Sequence, residues 1–144
     1  MITLDTMGEY EPQVISEFRG RYKYLSNFYI EPDGTHVEGE YQSRKTIPPT
    51  LDLMYMSPRD AKRQGKRIRP RQDWDHIKLR VMYELVLKKF HDHPLLKIQL
   101  LGTGTAYLEE SNTWGDQYWG TVNGIGHNYL GRILIKIRGE GHGP

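Results

Sequence analysis

The segment Gly115 to Arg138 constrains this chain most. Its first half, Gly115-Asp116-Gln117-Tyr118-Trp119-Gly120 and on to Gly126-His127-Asn128, is a loop dense in glycine and aromatics with one carboxylate. Its second half places Leu130, Ile133, Leu134 and Ile137 at three- and four-residue spacing, so one helix face must be buried. Asn128 stands where a side-chain oxygen can cap that helix. A compact aromatic loop delivered into a buried helix predicts a small-molecule pocket, with Asp116 and Trp119 at its chemical centre.

The rest of the chain supplies the frame. At 144 residues one domain with a sizeable core is expected, over residues 14–138 with loosely held ends at 1–13 and 139–144. Val14 to Phe18 alternates and reads as a strand, and Asp33-Gly34 reads as a tight turn between extended pieces at 29–32 and 35–37. Helices are expected over 38–47, stopped by Pro48-Pro49; from Ser57-Pro58 to Gly65; from Trp74 to Phe90 behind a cap at Asp73; and over 94–101 behind a cap at Asp92. Leu95, Leu96, Ile98, Leu100 and Leu101 make that last helix apolar almost all round, which predicts burial. The fold class is therefore α+β, predominantly helical, with a short N-terminal strand or hairpin region.

Composition excludes several chemistries. The chain has no cysteine, so neither disulfides nor thiolate metal sites are available. His91 and His93 lack the partners of a zinc motif, and neither a nucleophile elbow nor a phosphate loop is present, so no metal and no cofactor is expected. The N-terminus lacks a basic, apolar leader and no run is long enough to span a bilayer, which makes cytoplasm the expectation and a membrane partner unexpected. The net charge of +2 is small, but Lys62, Arg63, Lys66, Arg67, Arg69 and Arg71 run together without an acid. Such a strip is either a solvated helix end or a phosphate-attracting surface for nucleic acid.

Glu38, Gln42 and Lys45 share a helix face at four- and three-residue spacing. By spacing alone this is most simply a solvated ion pair. Together with Glu110, Asp116, Trp74, Trp114, Tyr118 and Trp119, however, these residues suit a ligand of flat base, sugar and phosphates. The aromatic run around Ser26-Asn27 is either a core corner or a pocket wall in which Arg19, Ser26 and Asn27 meet a polar ligand.

The residues also carry a resemblance. Phe18-Arg19-Gly20 with Leu25-Ser26-Asn27-Phe28, Glu38 with Tyr41-Gln42 and Lys45, Ala61-Lys62 with Gly65-Lys66, and Arg71 with Asp73-Trp74-Asp75 recur in order. Lys89-Phe90, Leu100-Leu101-Gly102-Thr103-Gly104, Glu110, Asp116 with Trp119-Gly120, and Gly126 with Asn128 follow in register. In this the chain resembles the NADAR (YbiA-like) family over roughly 18–138. The resemblance implies N-glycosidase chemistry: removal of ADP-ribose from modified guanine, or cleavage of ribosylamine intermediates of riboflavin synthesis. It implies catalytic roles for Glu38, Lys45 and Asp116. Lys45 would either hold substrate oxygens or form a Schiff base. Substrate contacts are implied for Arg19, Ser26, Asn27, Gln42, Arg71, Trp74, Glu110, Tyr118, Trp119, Gly120 and Asn128, with amides near Gly120 to Gly126 and the Arg19 and Arg71 guanidiniums on the pyrophosphate. A monomer or weak oligomer is expected. Gly39 and Glu40 depart from the family pattern of histidine followed by an aromatic or small residue. That departure favours a rival reading in which the pocket retains ADP-ribose or a nucleotide without cleaving it.

Overall fold

The computed structural model describes residues 12–140. Of the ends expected to be loose, 1–13 and 139–144, residues 1–11 and 141–144 lie outside the described residues. Among the described residues five α-helices carry the fold: α1 Val37–Ser43, α2 Pro58–Gly65, α3 Trp74–Asp92, α4 Pro94–Leu101 and α5 Tyr129–Glu140. Two 3-10 helices, Gly20–Leu25 and Leu51–Tyr55, fill the connections. The sheet is a single parallel pair, β1 Val14–Ile15 with β2 Tyr107–Leu108, in register Val14 to Tyr107 and Ile15 to Leu108.

The long helix α3 is the spine. Trp74, Val81, Met82, Leu85, Val86 and Phe90 bury one face of it against α1 and α5, as a 3.6-residue period requires. The same face carries Lys89, whose stem packs in the core while Nζ donates to the Tyr24 and Ser26 carbonyls. Burial pushes that amine down to about 7. The bond satisfies carbonyls at the end of the first 3-10 helix and so fixes where Ser26 and Asn27 lie.

His36 starts α1. Its Nδ1 accepts from the Gly39 amide at 2.9 Å, and its Nε2 bonds the Met56 carbonyl at 2.7 Å. Gly39 is needed there, because a Cβ would stand 2.6 Å from the His36 ring and 2.8 Å from the Leu53 carbonyl. Gly39 is thus a packing device under the cap. The helix ends at Ser43, four residues before the expected stop at Ile47. Ser43 Oγ donates to the Glu40 carbonyl, and the Arg44 and Lys45 amides close three-residue turns onto Tyr41 and Gln42, which tightens the last turn and ends it.

Five other expectations are corrected. The Asp33-Gly34 turn forms, closed by Glu31 and Thr35, but Val37 already belongs to α1, so no hairpin follows and β1 finds its partner at the far end of the chain. Helix α4 is not wrapped in protein: Leu96 and Leu100 are buried while Leu95 and Ile98 are exposed. Asp73 gives its carboxylate to Arg71 instead of capping α3, and Asp92 is the last residue of α3, not the cap of α4. Helix α5 continues through Gly139 to Glu140, where the Tyr83 hydroxyl donates to the Glu140 carboxylate at 2.7 Å. Among the described residues no helix is long and apolar enough to cross a membrane.

Candidate functional site

A cavity of about 290 Å³ lies where α1 and α2 meet the loop before α5. From α1 and its exit come Glu38, Tyr41, Gln42 and Lys45. The segment after β1 gives Phe18, Arg19, Ser26, Asn27 and Phe28. Lys62 and Lys66 enter from α2 and its end, and the late loop adds Glu110, Ser111, Trp114, Asp116 and Trp119. Two distant pieces of chain therefore share one space.

Backbone bonds hold these walls together. The Glu38 amide donates to the Asn27 carbonyl at 3.1 Å, pinning the Ser26-Asn27 turn to the start of α1. The Arg71 amide donates to the Lys45 carbonyl at 2.7 Å, which secures Lys45 beyond the helix end. Lys45 Nζ donates to the Gly65 carbonyl at 3.1 Å, and burial lowers its pKa below the ordinary lysine value. In the late loop Asp116 Oδ1 accepts from the Tyr118 and Trp119 amides at 3.0 and 2.9 Å. Asn112 clasps the Asp116 backbone from both sides, donating to its carbonyl at 2.8 Å and accepting from its amide at 3.0 Å. The loop is a knotted turn whose shape presents Trp119.

Two carboxyls are held against their preference for water. Glu38 is almost wholly buried; burial raises its pKa, and the hydrogen bond from Gln42 Nε2 at 2.9 Å offsets part of the rise. Glu110 is pushed up to about 7, first by burial and then by the negative charge of Asp116, with Lys62 pulling the other way. Glu110 Oε2 and Gln42 Oε1 are both buried without a hydrogen-bond partner among the described residues. Each presses against a glycine: a Cβ at Gly120 would collide with the Glu110 carboxylate and carbonyl, and one at Gly65 with the Gln42 amide. Leaving such acceptors dry costs about 1–3 kcal/mol each.

Of the residues singled out in the sequence, Arg19, Ser26, Asn27, Glu38, Gln42, Lys45, Glu110, Trp114, Asp116 and Trp119 line this cavity. Five others do not. Arg71 pairs with Asp73 and faces a separate groove beside Arg44 and Ile47. Trp74 is core, its ring 5.0 Å from Tyr41, which in turn meets Trp119 edge-on at 5.5 Å. Tyr118 turns away to pack on Tyr129 at 4.8 Å, with the Lys78 ammonium 4.3 Å from its ring centre. Gly120 acts by lacking a side chain beside Glu110. Asn128 is a buried strut: Oδ1 accepts from the Glu110 amide, and Nδ2 donates to the Leu108 carbonyl and the Tyr107 hydroxyl, so its side chain does not cap α5. The amides of Thr121, Val122, Ile125, His127 and Asn128 are also spent on the loop itself.

Sequence reading missed Tyr41, Lys62, Lys66 and Ser111 as cavity walls and Asn112 as the loop clasp, while Phe18 and Phe28 belong to the aromatic run read as a core corner or a pocket wall. Tyr41 stands three residues after Glu38, and Lys66 four after Lys62, so helical spacing was the available signal. Glu40, suspected of altering the pocket, is on another face and pairs with Lys88 at 3.7 Å.

The NADAR domain model of protein families matches residues 17–140. The chain belongs to the NADAR family. It is 35% identical over 136 residues to N-glycosidase Npun_R5314 of Nostoc punctiforme, a match that covers 83% of this chain and 85% of that protein. The solution structure of YbiA from E. coli superposes with a TM-score of 0.73 at 30% identity, covering 90% of this chain and 85% of that one. Riboflavin biosynthesis protein VVA0006 of Vibrio vulnificus is 35% identical over 129 residues, 81% of this chain but only 35% of its own length. The mainly helical α+β architecture expected from the sequence is thus the fold of a NADAR relative.

Proposed function

We propose that this protein is an N-glycosidase that hydrolyses the bond between a base nitrogen and the anomeric carbon of a ribose, with ADP-ribosylated guanine in nucleic acid as its substrate. The observation that carries the reading is the pair of buried carboxyls, Glu38 and Glu110, both held toward their neutral forms in one cavity with the Lys45 amine. Glycosidic hydrolysis needs one carboxyl that can donate a proton to the leaving group and one that can manage the attacking water. Glu110 at about 7 is suited to the proton donation, and Glu38, steered by Gln42, to the water or the anomeric carbon. The Lys45 amine, its pKa lowered, can alternatively attack the opened sugar and hold it as a Schiff base. Asp116 spends one oxygen on the Trp119 turn, so its part is positioning.

The aromatic and cationic walls support the substrate class. Trp119, Trp114 and Phe28 offer faces for a flat ring. The cavity suits one ribose and one ring, which leaves phosphates at its mouth, where Arg19, Lys62 and Lys66 stand. Lys62 reaches across this mouth, its Nζ 5.2 Å from the Trp114 ring centre and 5.7 Å from that of Phe28. Nucleic acid beyond the modified base would meet Arg67 and Arg69, exposed after α2.

A second reading, cleavage of a ribosylamine intermediate of riboflavin synthesis, is favoured by relatives named riboflavin biosynthesis proteins. A non-catalytic reader is the weaker rival, because Gly39 and Glu40, which suggested it, do not line the cavity. Incubation with guanine-ADP-ribosylated DNA and, separately, with a pyrimidine ribosylamine phosphate, followed by mass spectrometry, tests the choice. Release of unmodified DNA supports the first reading and release of the pyrimidine amine the second. Calorimetric binding of ADP-ribose with no product from either substrate refutes hydrolysis.

A further inference from the structure

None of Glu31, Asp33 and His93 lines the cavity, yet the three converge. Glu31 and Asp33 lie in the turn before α1, and His93 joins α3 to α4. His93 Nε2 is 3.3 Å from Glu31 Oε1 and 3.8 Å from Asp33 Oδ2. The Nε2 atom is buried and makes no well-formed hydrogen bond among the described residues. The Glu31 side chain is 5% exposed, and among the described residues neither a backbone nor a side-chain hydrogen bond steadies its carboxylate; burial raises its pKa.

A tetrahedral ion bound at ~2.0–2.1 Å separates its ligand atoms by ~3.3–3.4 Å. The observed 3.3 and 3.8 Å lie close to that spacing, the third edge from Glu31 to Asp33 is within 4.8 Å, and Asp33 sits on an exposed turn that can close it. The outer shell is also in order. Asp33 Oδ1 is held by the Thr35 amide and hydroxyl at 3.1 and 2.7 Å, which leaves Oδ2 to face His93. The neighbouring ammonium groups make their hydrogen bonds and ion pairs elsewhere, Lys88 with Glu40 and Asp92 and Lys89 with the Tyr24 and Ser26 carbonyls, while the Lys89 charge also acts on Glu31 from a distance.

We propose that Glu31, Asp33 and His93 form a divalent metal site of the zinc class, with His93 Nε2, Glu31 Oε1 and Asp33 Oδ2 as ligands and water in the fourth position. The donor set, one imidazole and two carboxylates, is one that zinc accepts. The ion would staple the turn entering α1 to the α3–α4 corner. That makes it a stabiliser of the helix that carries Glu38, with no part in the chemistry of the cavity.

The test starts from protein treated with a chelator and dialysed. Titration calorimetry with zinc chloride is expected to show one ion per chain, and cobalt(II) to give visible absorption of a tetrahedral site. Asp33→Asn and His93→Ala should each weaken zinc binding by at least roughly tenfold, whereas His91→Ala, two residues away, should leave it unchanged. Asp33→Asn keeps the test valid should His93→Ala fail to fold. Absence of zinc binding by the wild-type chain, or equal binding by the Asp33→Asn and His93→Ala variants, overturns the site.

Discussion

Glu110→Gln should make this protein more stable and stop it working. The folded chain holds the Glu110 carboxyl at about 7 against an ordinary 4.5. A group whose pKa is raised on folding contributes fully at pH below its unfolded value, and that contribution is lost as pH rises through the folded value. The loss here spans pH 4.5 to about 7 and amounts to on the order of 3 kcal/mol, at ~1.4 kcal/mol per pKa unit. The amide of glutamine cannot ionise, so the variant escapes the loss. Local packing differences act equally at all pH values and cancel when two pH values are compared. Urea unfolding of both proteins at pH 4 and pH 8 should therefore show a pH-dependent gap of roughly 3 kcal/mol in the variant's favour, equivalent to about 5–10 °C in melting temperature at pH 8. Hydrolysis should fall on the order of a hundredfold or more. An identical pH dependence in the two proteins would refute the buried, unsatisfied state assigned to this carboxyl.

Glycines give the next predictions. Gly120→Ala drives a methyl into the Glu110 carbonyl, which cannot move aside, and should cost roughly 1–3 kcal/mol in thermal or urea unfolding. Gly65→Ala meets only the end of the Gln42 side chain, so it should spare stability but displace Gln42 from Glu38 and lower kcat. Gly39→Ala should destabilise by roughly 1–3 kcal/mol, although alanine is the better helix former, because the His36 ring fills the space. Among the cations, Lys62→Ala should raise KM by roughly tenfold or more, the worth of a charge-assisted contact, while Arg71→Ala should leave KM unchanged, since its guanidinium belongs to Asp73; steady-state kinetics on the modified DNA separates them.

Helices were legible in the sequence where caps and period agreed, as at Ser57-Pro58 and along Val81 to Phe90, and the buried face of α5 followed from its spacing alone. The end of α1 was not, because the signal that stops it is a serine hydroxyl turned back on the Glu40 carbonyl, not the prolines further on. Nor was the exposure of Leu95 and Ile98, since an apolar run does not say how many neighbours will cover it. At the site, the convergence of Glu38 and Lys45 with Asp116 and Trp119 was readable from motif order. The duties of Asn128, Tyr118, Trp74 and Arg71 were not: polar and aromatic residues near a site have the same composition whether they touch the ligand or brace those that do. Lys62 and Lys66 were read as part of a basic strip because charge density was visible and direction was not.

The central claim is that a carboxyl of α1, buried beside a late aromatic loop, promotes cleavage at the sugar. It is tested most directly by mass-spectrometric quantitation of base or nucleic acid released in a single turnover, wild type against Glu38→Gln, each at saturating substrate. The account predicts product from the wild type and a loss on the order of a hundredfold in the variant, with ADP-ribose still bound by both. Equal release by the two proteins would contradict it.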